Sequence, residues 1–282
     1  MSWLTNLIRP KIRPFVKKID VEDHLWTKCI QCEQMLLTRD LLAHSSICPH
    51  CNHYARWPIQ DRLCALFDEG SYQLIETPAV HHDPLTFRDQ KRYADRLKEA
   101  RQKTGMKDAL LLVQGSVNGQ TMVVGCFNFD FIGGSMGMEV GEAIMAGALT
   151  AIEKKAPYVL IPSSGGARMQ EGIFSLMQMP RSTLAALLVK EAGLPFITLL
   201  THPTTGGVAA SFASLGHIIM AEPGAIIGFT GARVIMETLR QQLPEGFQTA
   251  EFQKQHGFID LIVPRTDIKK TLSLITRLLM KV

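Results

Sequence analysis

Two sets of residues in this chain have the types and spacing for chemistry. The first is cysteine. "CIQC" and "CPHC" place Cys29, Cys32, Cys48 and Cys51 as two CxxC turns separated by fifteen residues. Each turn aims two thiolates at one point, and two such turns at this separation have the spacing of a four-cysteine zinc site. Four thiolates complete a tetrahedron and leave no position for water, so the metal is structural, one zinc per chain. His44, His50 and His53 lie nearby but are not needed as ligands. The intervening "EQMLLTRDLLAHSSI" is expected to form a short hairpin that joins the two turns. Cys64 in "RLCALF" and Cys126 in "VVGCFNF" read as core residues. A disulfide framework is not expected in a chain of this size read as cytoplasmic.

The second set is glycine. Gly165-Gly166 in "IPSSGGARMQEG" and Gly206-Gly207 in "HPTTGGVAAS" each follow an apolar run and precede a helical pattern. Glycine lets backbone approach a ligand closely and adopt unusual dihedrals. Backbone N–H groups presented that way hold a phosphate or a developing oxyanion. A phosphate loop is excluded, because neither GxxxxGK[ST] nor a GxGxxG after a strand is present. A serine hydrolase is excluded too: Ser163 and Ser164 precede the glycines and no GxSxG elbow exists. What remains is an oxyanion hole for a carbonyl that becomes an enolate. Tight turns are the alternative reading of either pair alone.

Positioning such loops takes a layered α/β scaffold. "PIQDRLCALFDEG" (58–70) predicts an amphipathic helix, "SYQLIE" a strand, and 88–107 a charged helix with an apolar seam at Tyr93, Leu97 and Ala100. That helix carries eight basic and three acidic side chains, and reads either as a solvated face or as a surface for a polyanion. Two apolar runs flank Asn118-Gly119, a hairpin signal. "IGGSMG" leads into a helix over 138–155. Then strand, glycine loop and helix repeat: "APYVLIPS" and "LPFITLLT" are buried strands, and "HIIMAEPGAIIGF" holds two more. Helices at 231–242 and 249–257, strand "FIDLIVP" and a helix at 266–281 close the chain.

With 282 residues, the chain suits one large domain plus a small module: an arm over 1–25, a ribbon over 26–56 and a main domain over 57–282. Hydrophobic content of 46%, 20% charged residues and a net charge of +4 describe an ordinary globular protein. No apolar run reaches the roughly 20 residues that span a bilayer. The first residues lack a signal core, which gives an expectation of a cytoplasmic protein without membrane contact. Arg9, Lys11, Arg13, Lys17 and Lys18 precede the first acid, Asp20, and read as a solvated arm. Beside a zinc ribbon carrying Trp26, Tyr54 and Trp57, the arm also suits secondary nucleic-acid binding.

"SSGGARMQEG", "GGSMG", "HPTTGGVAASFA", "AEPGAIIGFTGARVI" and the cysteine ribbon resemble the β subunits of bacterial acetyl-CoA carboxylase carboxyltransferase, over nearly the whole chain. The resemblance implies a crotonase (ClpP-like) fold, a superhelix of repeated ββα units, with the zinc ribbon added at the N-terminus. It implies transfer of a carboxyl group from carboxybiotin, held on a separate biotin carboxyl carrier protein, to acetyl-CoA, giving malonyl-CoA for fatty acid synthesis. It implies a homologous α subunit that completes the active site in an α2β2 assembly, and a biotin carboxylase elsewhere. Gly165, Gly166, Gly206 and Gly207 become the oxyanion donors, without assignment of pair to oxygen. Gly133, Gly134 and Arg168 become substrate-binding candidates, with Arg168 open to an internal partner such as Glu171 instead. The basic helix would meet CoA phosphates.

Two departures stand out. The family commonly reads DPTMGG where this chain has His202 and Thr205, and GPRV where it has "GARV" at 231–234. Both leave the glycines intact. The Met280-Lys281 pair lacks the surroundings of a biotin acceptor. A rival reading is a crotonase-like hydratase or hydrolase, which needs a carboxylate base, with Glu139, Glu142 and Glu171 on offer. A nucleic-acid-binding regulator is the other rival, but it leaves both glycine pairs unexplained.

Overall fold

The computed structural model describes residues 25–240 and 242–281. The basic arm, apart from Leu25, lies outside them. In chain order come β1 (Trp26–Lys28), β2 (Met35–Leu37), α1 (Thr38–Ala43), α2 (Ile59–Leu66), β3 (Gln73–Leu74) and α3 (Tyr93–Thr104). The hairpin β4 (Leu110–Val117) and β5 (Gln120–Phe127) is followed by α4 (Met138–Lys154) and β6 (Tyr158–Ile161). Next are α5 (Ile173–Leu176), α6 (Gln178–Glu191), β7 (Phe196–Leu200), β8 (Thr204–Thr205) and α7 (Gly206–Ala209). The chain closes with β9 (Ile218–Ala221), β10 (Ile227–Gly228), α8 (Ala232–Leu239), α9 (Ala250–Gln255), β11 (Leu261–Ile262) and α10 (Ile268–Met280).

Seven strands form one sheet in the order β11-β9-β7-β6-β5-β4-β3. From β11 to β5 the neighbours run parallel, while β4 and β3 add antiparallel strands at one edge. A parallel sheet is buried on both faces, and successive side chains alternate between those faces. Tyr158 and Leu160 of β6 accordingly pack with Ile144 of α4 and Val189 of α6. Val159 and Ile161 pack on the opposite face with Leu63 of α2 and Leu272 of α10. β8 and β10 make a small separate parallel pair. Parallel strands in one repeated strand–loop–helix unit put every glycine loop at the same edge, the carboxyl ends of β6 and β7.

Several elements differ from the sequence expectation for local reasons. The helix expected over 58–70 ends at Leu66, because Phe67 turns into the core and Asp68 caps the β4–β5 hairpin. Its carboxylate accepts the N–H groups of Asn118 and Gly119, the Ser116 hydroxyl and the Lys269 ammonium. Those donors hold the Asp68 carboxyl well below the usual carboxylate range, with Lys269 the largest cause. The charged helix begins at Tyr93, after a turn in which the Asp89 carboxylate accepts the Lys91 N–H, and Gly105 ends it in the left-handed region. Its buried seam is Tyr93, Leu97 and Ala100. Cys126 is buried, but Cys64 is exposed on the outer face of α2, so the expectation of a core position there is corrected.

The ribbon is clamped to the main domain by a buried acid. Glu222, after β9, is 1% exposed. It accepts from Arg62 of α2 at 2.6 Å, and from Arg265 at 3.1 and 2.9 Å. Arg265 Nη1 also donates to the carbonyls of Ser45 and Ser46 in the ribbon, at 2.8 and 3.2 Å. Burial opposes ionisation of Glu222, but the two guanidinium groups outweigh it and lower its pKa. A carboxyl depressed in the folded state stabilises fully above its unfolded pKa, and that contribution fades as pH falls through the folded value. Replacing Glu222 with Gln leaves two buried cations without a counter-charge, at a cost of about 3–5 kcal/mol. Urea unfolding should show this loss at neutral pH and a difference between the proteins that shrinks below the carboxylate range. Equal stability at neutral pH would refute the clamp.

Candidate active site and metal centre

The two CxxC turns are built alike. Cys29 O accepts the Glu33 N–H and Cys48 O accepts the Asn52 N–H, both at 2.9 Å. Glu33 and Asn52 both adopt positive φ, 59° and 57°. The first turn sits inside the β1–β2 hairpin. The hairpin therefore encloses a cysteine turn, and β2 with α1 fills the gap between turns, where a hairpin had been expected. The four sulfurs lie within 4.8 Å of one another, with Cys29–Cys51 and Cys32–Cys48 both at 3.7 Å. A tetrahedron with zinc–sulfur bonds of about 2.3 Å has edges of about 3.8 Å, so the residues fit the metal. Backbone N–H groups of Cys32 and Gln31 also face the Cys29 sulfur, and they lower its pKa to about 7 against the opposing effect of burial. Around the thiols the ribbon core consists of little beyond Leu36 and Leu41. Such a core is too small to hold the fold without its metal.

The glycine loops leave adjacent strands. The Gly165-Gly166 loop follows β6, and Gly206-Gly207 follows β7 by way of β8. They meet backbone to backbone. Gly166 has φ of 116° and Gly206 has φ of 60°, both in the region that side chains disfavour. A Cβ on Gly166 would stand 3.2 Å from Gly206 Cα and 3.3 Å from Gly207 N. A Cβ on Gly207 would stand 3.6 Å from Ala167 N.

Hydrogen bonding then sorts the four glycines expected to be donors. Gly165 N–H donates to Gly133 O at 2.9 Å, Gly166 N–H to Ser164 Oγ at 3.0 Å, and Gly206 N–H to Phe229 O at 2.8 Å. These three are committed to holding the loops, which corrects their expected role as oxyanion donors. Among the described residues, the N–H groups of Gly207 and Ala167 have no acceptor. They form the candidate hole. Ala167 escaped sequence reasoning because its side chain carries no chemistry. Its main chain is freed by a bridge to Met136, whose N–H donates to Gly166 O and whose carbonyl accepts the Arg168 N–H.

Arg168 is corrected as a substrate contact, because it is wholly buried. Its guanidinium makes a bidentate pair with Asp108 at 2.8 and 2.6 Å and donates to Ser135 Oγ and Ser135 O. It also reaches Tyr93 Oη at 3.1 Å and Glu171 at 3.5 Å. Glu171 accepts from Tyr93 Oη and from the Met138 N–H, both at 2.6 Å. This network joins α3, the start of β4, the 132–138 turn and the Gly165 loop. Gly134 braces the same loop: it is buried, and a Cβ there would collide with the Ser163 carbonyl. That packing replaces the substrate contact expected of Gly134, while Gly133 faces open space and holds Gly165 through its carbonyl. Glu139 pairs with Lys107, and Glu142 with Arg181. With Glu171 tied down as well, all three carboxylates offered as a base are engaged elsewhere. His202 and Thr205 fasten the second loop, through Nδ1 to the Ile226 N–H at 3.3 Å and Oγ1 to Ser164 O at 3.2 Å.

A carboxyl transferase domain matches residues 67–278, and an acetyl-CoA carboxylase zinc finger domain matches residues 26–51. The acetyl-coenzyme A carboxylase carboxyl transferase subunit beta of Granulibacter bethesdensis is 54% identical over 279 residues, covering 99% of this chain and 91% of that one. That of Azorhizobium caulinodans is 50% identical over 281 residues, covering 100% and 95%. The chain belongs to the family of carboxyl transferase beta subunits. Solved structures agree in fold. A transcarboxylase 12S structure superposes with a TM-score of 0.63 at 23% identity, covering 79% of this chain and 41% of that one. A Pseudomonas malonate decarboxylase MdcD-MdcE hetero-dimer gives 0.59 at 19% identity, covering 77% and 84%. Among the described residues of this beta-subunit relative, no helix is long and apolar enough to cross a membrane.

Two outcomes test this geometry. Chelation should strip amide-exchange protection from Leu36, Leu41 and Ile47 while β6 and β7 stay protected; full protection after complete metal removal would exclude a structural zinc. Arg168→Met should destabilise the chain by about 3–5 kcal/mol, because Asp108 is left buried without its counter-charge. A change under about 1 kcal/mol in urea unfolding would show that the pair holds nothing.

Proposed function

We propose that this chain is the half of an acetyl-CoA carboxyltransferase that holds the enolate. The observation that carries the reading is the pair of free N–H groups, Ala167 and Gly207, where two glycine loops from neighbouring strands meet. The biotin group, brought on its carrier protein, supplies the carboxyl group and the base that takes the methyl proton. This chain needs no side-chain base of its own. As the proton leaves the methyl group of acetyl-CoA, negative charge moves to the thioester oxygen. Ala167 and Gly207 are placed to donate to that oxygen, and each such donor is worth about 2.7–4 kcal/mol of barrier. The bond between the biotin nitrogen and the carboxyl carbon would break, its electron pair staying on the nitrogen that takes the methyl proton, and the methyl carbon would bond to the freed carboxyl carbon, giving malonyl-CoA.

Donors for the biotin oxygen fall to a second, homologous chain, the α subunit of an α2β2 assembly. Exposed apolar side chains beside the loops support such a partner. Met169, directly after Arg168, is 64% exposed, followed by Ile173, Leu176 and Met177, then Leu184 and Leu187 of α6. Phe229, whose carbonyl holds Gly206, is 67% exposed on the other loop. Contiguous apolar surface beside a site marks an interface.

The reverse reaction tests the proposal. Malonyl-CoA-dependent carboxylation of free biotin should be absent with this chain alone and appear on mixing with the α subunit. Acyl-CoA turnover by this chain alone would favour the hydratase reading instead. Gly166→Val should lower kcat by at least about 10²-fold, because its Cβ would stand 3.3 Å from the Gly207 nitrogen and a side chain at this φ strains the loop. Near-normal turnover by an assembled variant would overturn the assignment of the hole.

A further inference from the structure

A cavity of about 360 Å³ lies where the ribbon meets the main domain. Its floor is the carboxyl ends of three parallel strands, at Phe127, Ile161 and Thr201. Ser163 and His202, which open the two glycine loops, line the same cavity, and Ser163 Oγ donates to His202 O at 3.0 Å. The crevice outside the carboxyl ends of parallel strands is where α/β folds take ligands. Its volume is that of a small-molecule site.

The walls have two chemistries. One is aromatic, from Tyr54 and Trp57 of the ribbon side and Phe129 of the main domain. The other is cationic. The deep cations Arg62 and Arg265 both pair with the single carboxylate of Glu222 and are almost closed off from solvent. At the mouth, Arg56 and Lys103 share one acid, Asp130, at 3.0 and 3.8 Å. Two cations thus face one carboxylate. Arg56 is held 4.4 Å above the Phe129 ring, and both cations remain more than half exposed. The field is felt at His202, whose pKa is lowered by burial first and then by the charges of His53 and Arg56, with Glu222 opposing.

We infer that this cleft binds a nucleotide phosphate, with Arg56 and Lys103 on the phosphate and the aromatic walls against the ring. Aromatic faces accept a base by stacking, and guanidinium and ammonium groups give charge-assisted hydrogen bonds to phosphate. The phosphate restores the balance that Asp130 alone leaves incomplete. Lys103 reaches the mouth from the last turn of α3, so one residue of the basic helix contributes while its neighbours Arg92 and Arg96 are paired with Asp95 and Asp89. The ribbon then serves as one wall of a binding site.

The same phosphate chemistry has two sources, the 3′-phosphoadenosine handle of a CoA thioester or a free nucleotide. Only the first rests on the carboxyltransferase reading. The probe is adenosine 3′,5′-bisphosphate, titrated calorimetrically into the full zinc-loaded chain. Binding should weaken with added salt. The double variant Arg56→Ala/Lys103→Ala should bind at least about tenfold more weakly, and both replaced side chains are exposed, so folding survives. Asp130→Asn should bind more tightly, since it frees both cations. No binding at millimolar probe, or binding that neither variant changes, overturns the proposal. Displacement of the probe by acetyl-CoA, and about tenfold poorer displacement by its 3′-dephospho form, identifies the thioester handle. Failure of acetyl-CoA to displace a bound probe identifies a free nucleotide. Neither measurement needs a partner chain or turnover, so a failed transfer assay and a failed titration are separate results.

Discussion

A guanidinium with no contact to solvent fixes the geometry around the reactive loops. Arg168 follows the first glycine pair by two residues and sends its charge inward to Asp108, Ser135, Tyr93 and Glu171. An ion pair this deep is held against a large desolvation penalty. It persists because every donor has an acceptor: two on Asp108, two on Ser135 and one on Tyr93. The network's reward is positional. It pulls the 132–138 turn onto the Gly165 loop, and that turn supplies Gly133 O and Met136 to pin the loop's backbone. Once these bonds are made, the N–H groups of Ala167 and Gly207 are left without an acceptor where the two loops meet. The donors proposed for the hole are among the groups that remain after the loops have satisfied their own main chain.

A site of this kind asks little of side chains. On the proposed reading the oxygen is met by main-chain donors, so the surroundings can vary wherever the backbone path is kept. His202 and Thr205 illustrate this: both depart from the common family pattern, and both are used as loop fasteners. The glycines cannot vary in the same way. A Cβ on Gly166 would stand 3.2 Å from the Cα of Gly206, and one on Gly206 would stand 3.1 Å from the Cα of Gly166, with positive φ on both sides.

Much of the architecture was legible because it depends on local chemistry. The four cysteines, the Asn118-Gly119 hairpin and the apolar runs of β6 and β7 each have a signature within a few residues. The glycine loops were legible as a site for the same reason. What was hidden depends on contacts distant in sequence. Nothing near Arg168 indicates that its partner lies 60 positions earlier. Nothing in "SGGAR" reveals that Gly165, Gly166 and Gly206 use their N–H groups on Gly133, Ser164 and Phe229. Ala167 has no signal in its type. Cys64 reads as apolar core in its neighbours, yet α2 turns it outward because Leu63 and Leu66 take the buried face.

The clamp between ribbon and main domain joins the two ends of the chain. Arg265 donates to carbonyls of Ser45 and Ser46, some 220 positions away, through a side chain that Glu222 orients. During synthesis the cysteine ribbon emerges early and has all four of its thiols long before Arg265 leaves the ribosome. The four zinc-ligand candidates are thus complete before the clamp can form. The clamp itself has to wait for Arg265, late in the chain. The contact that seats the ribbon is thus made by a residue synthesised long after the ribbon's own.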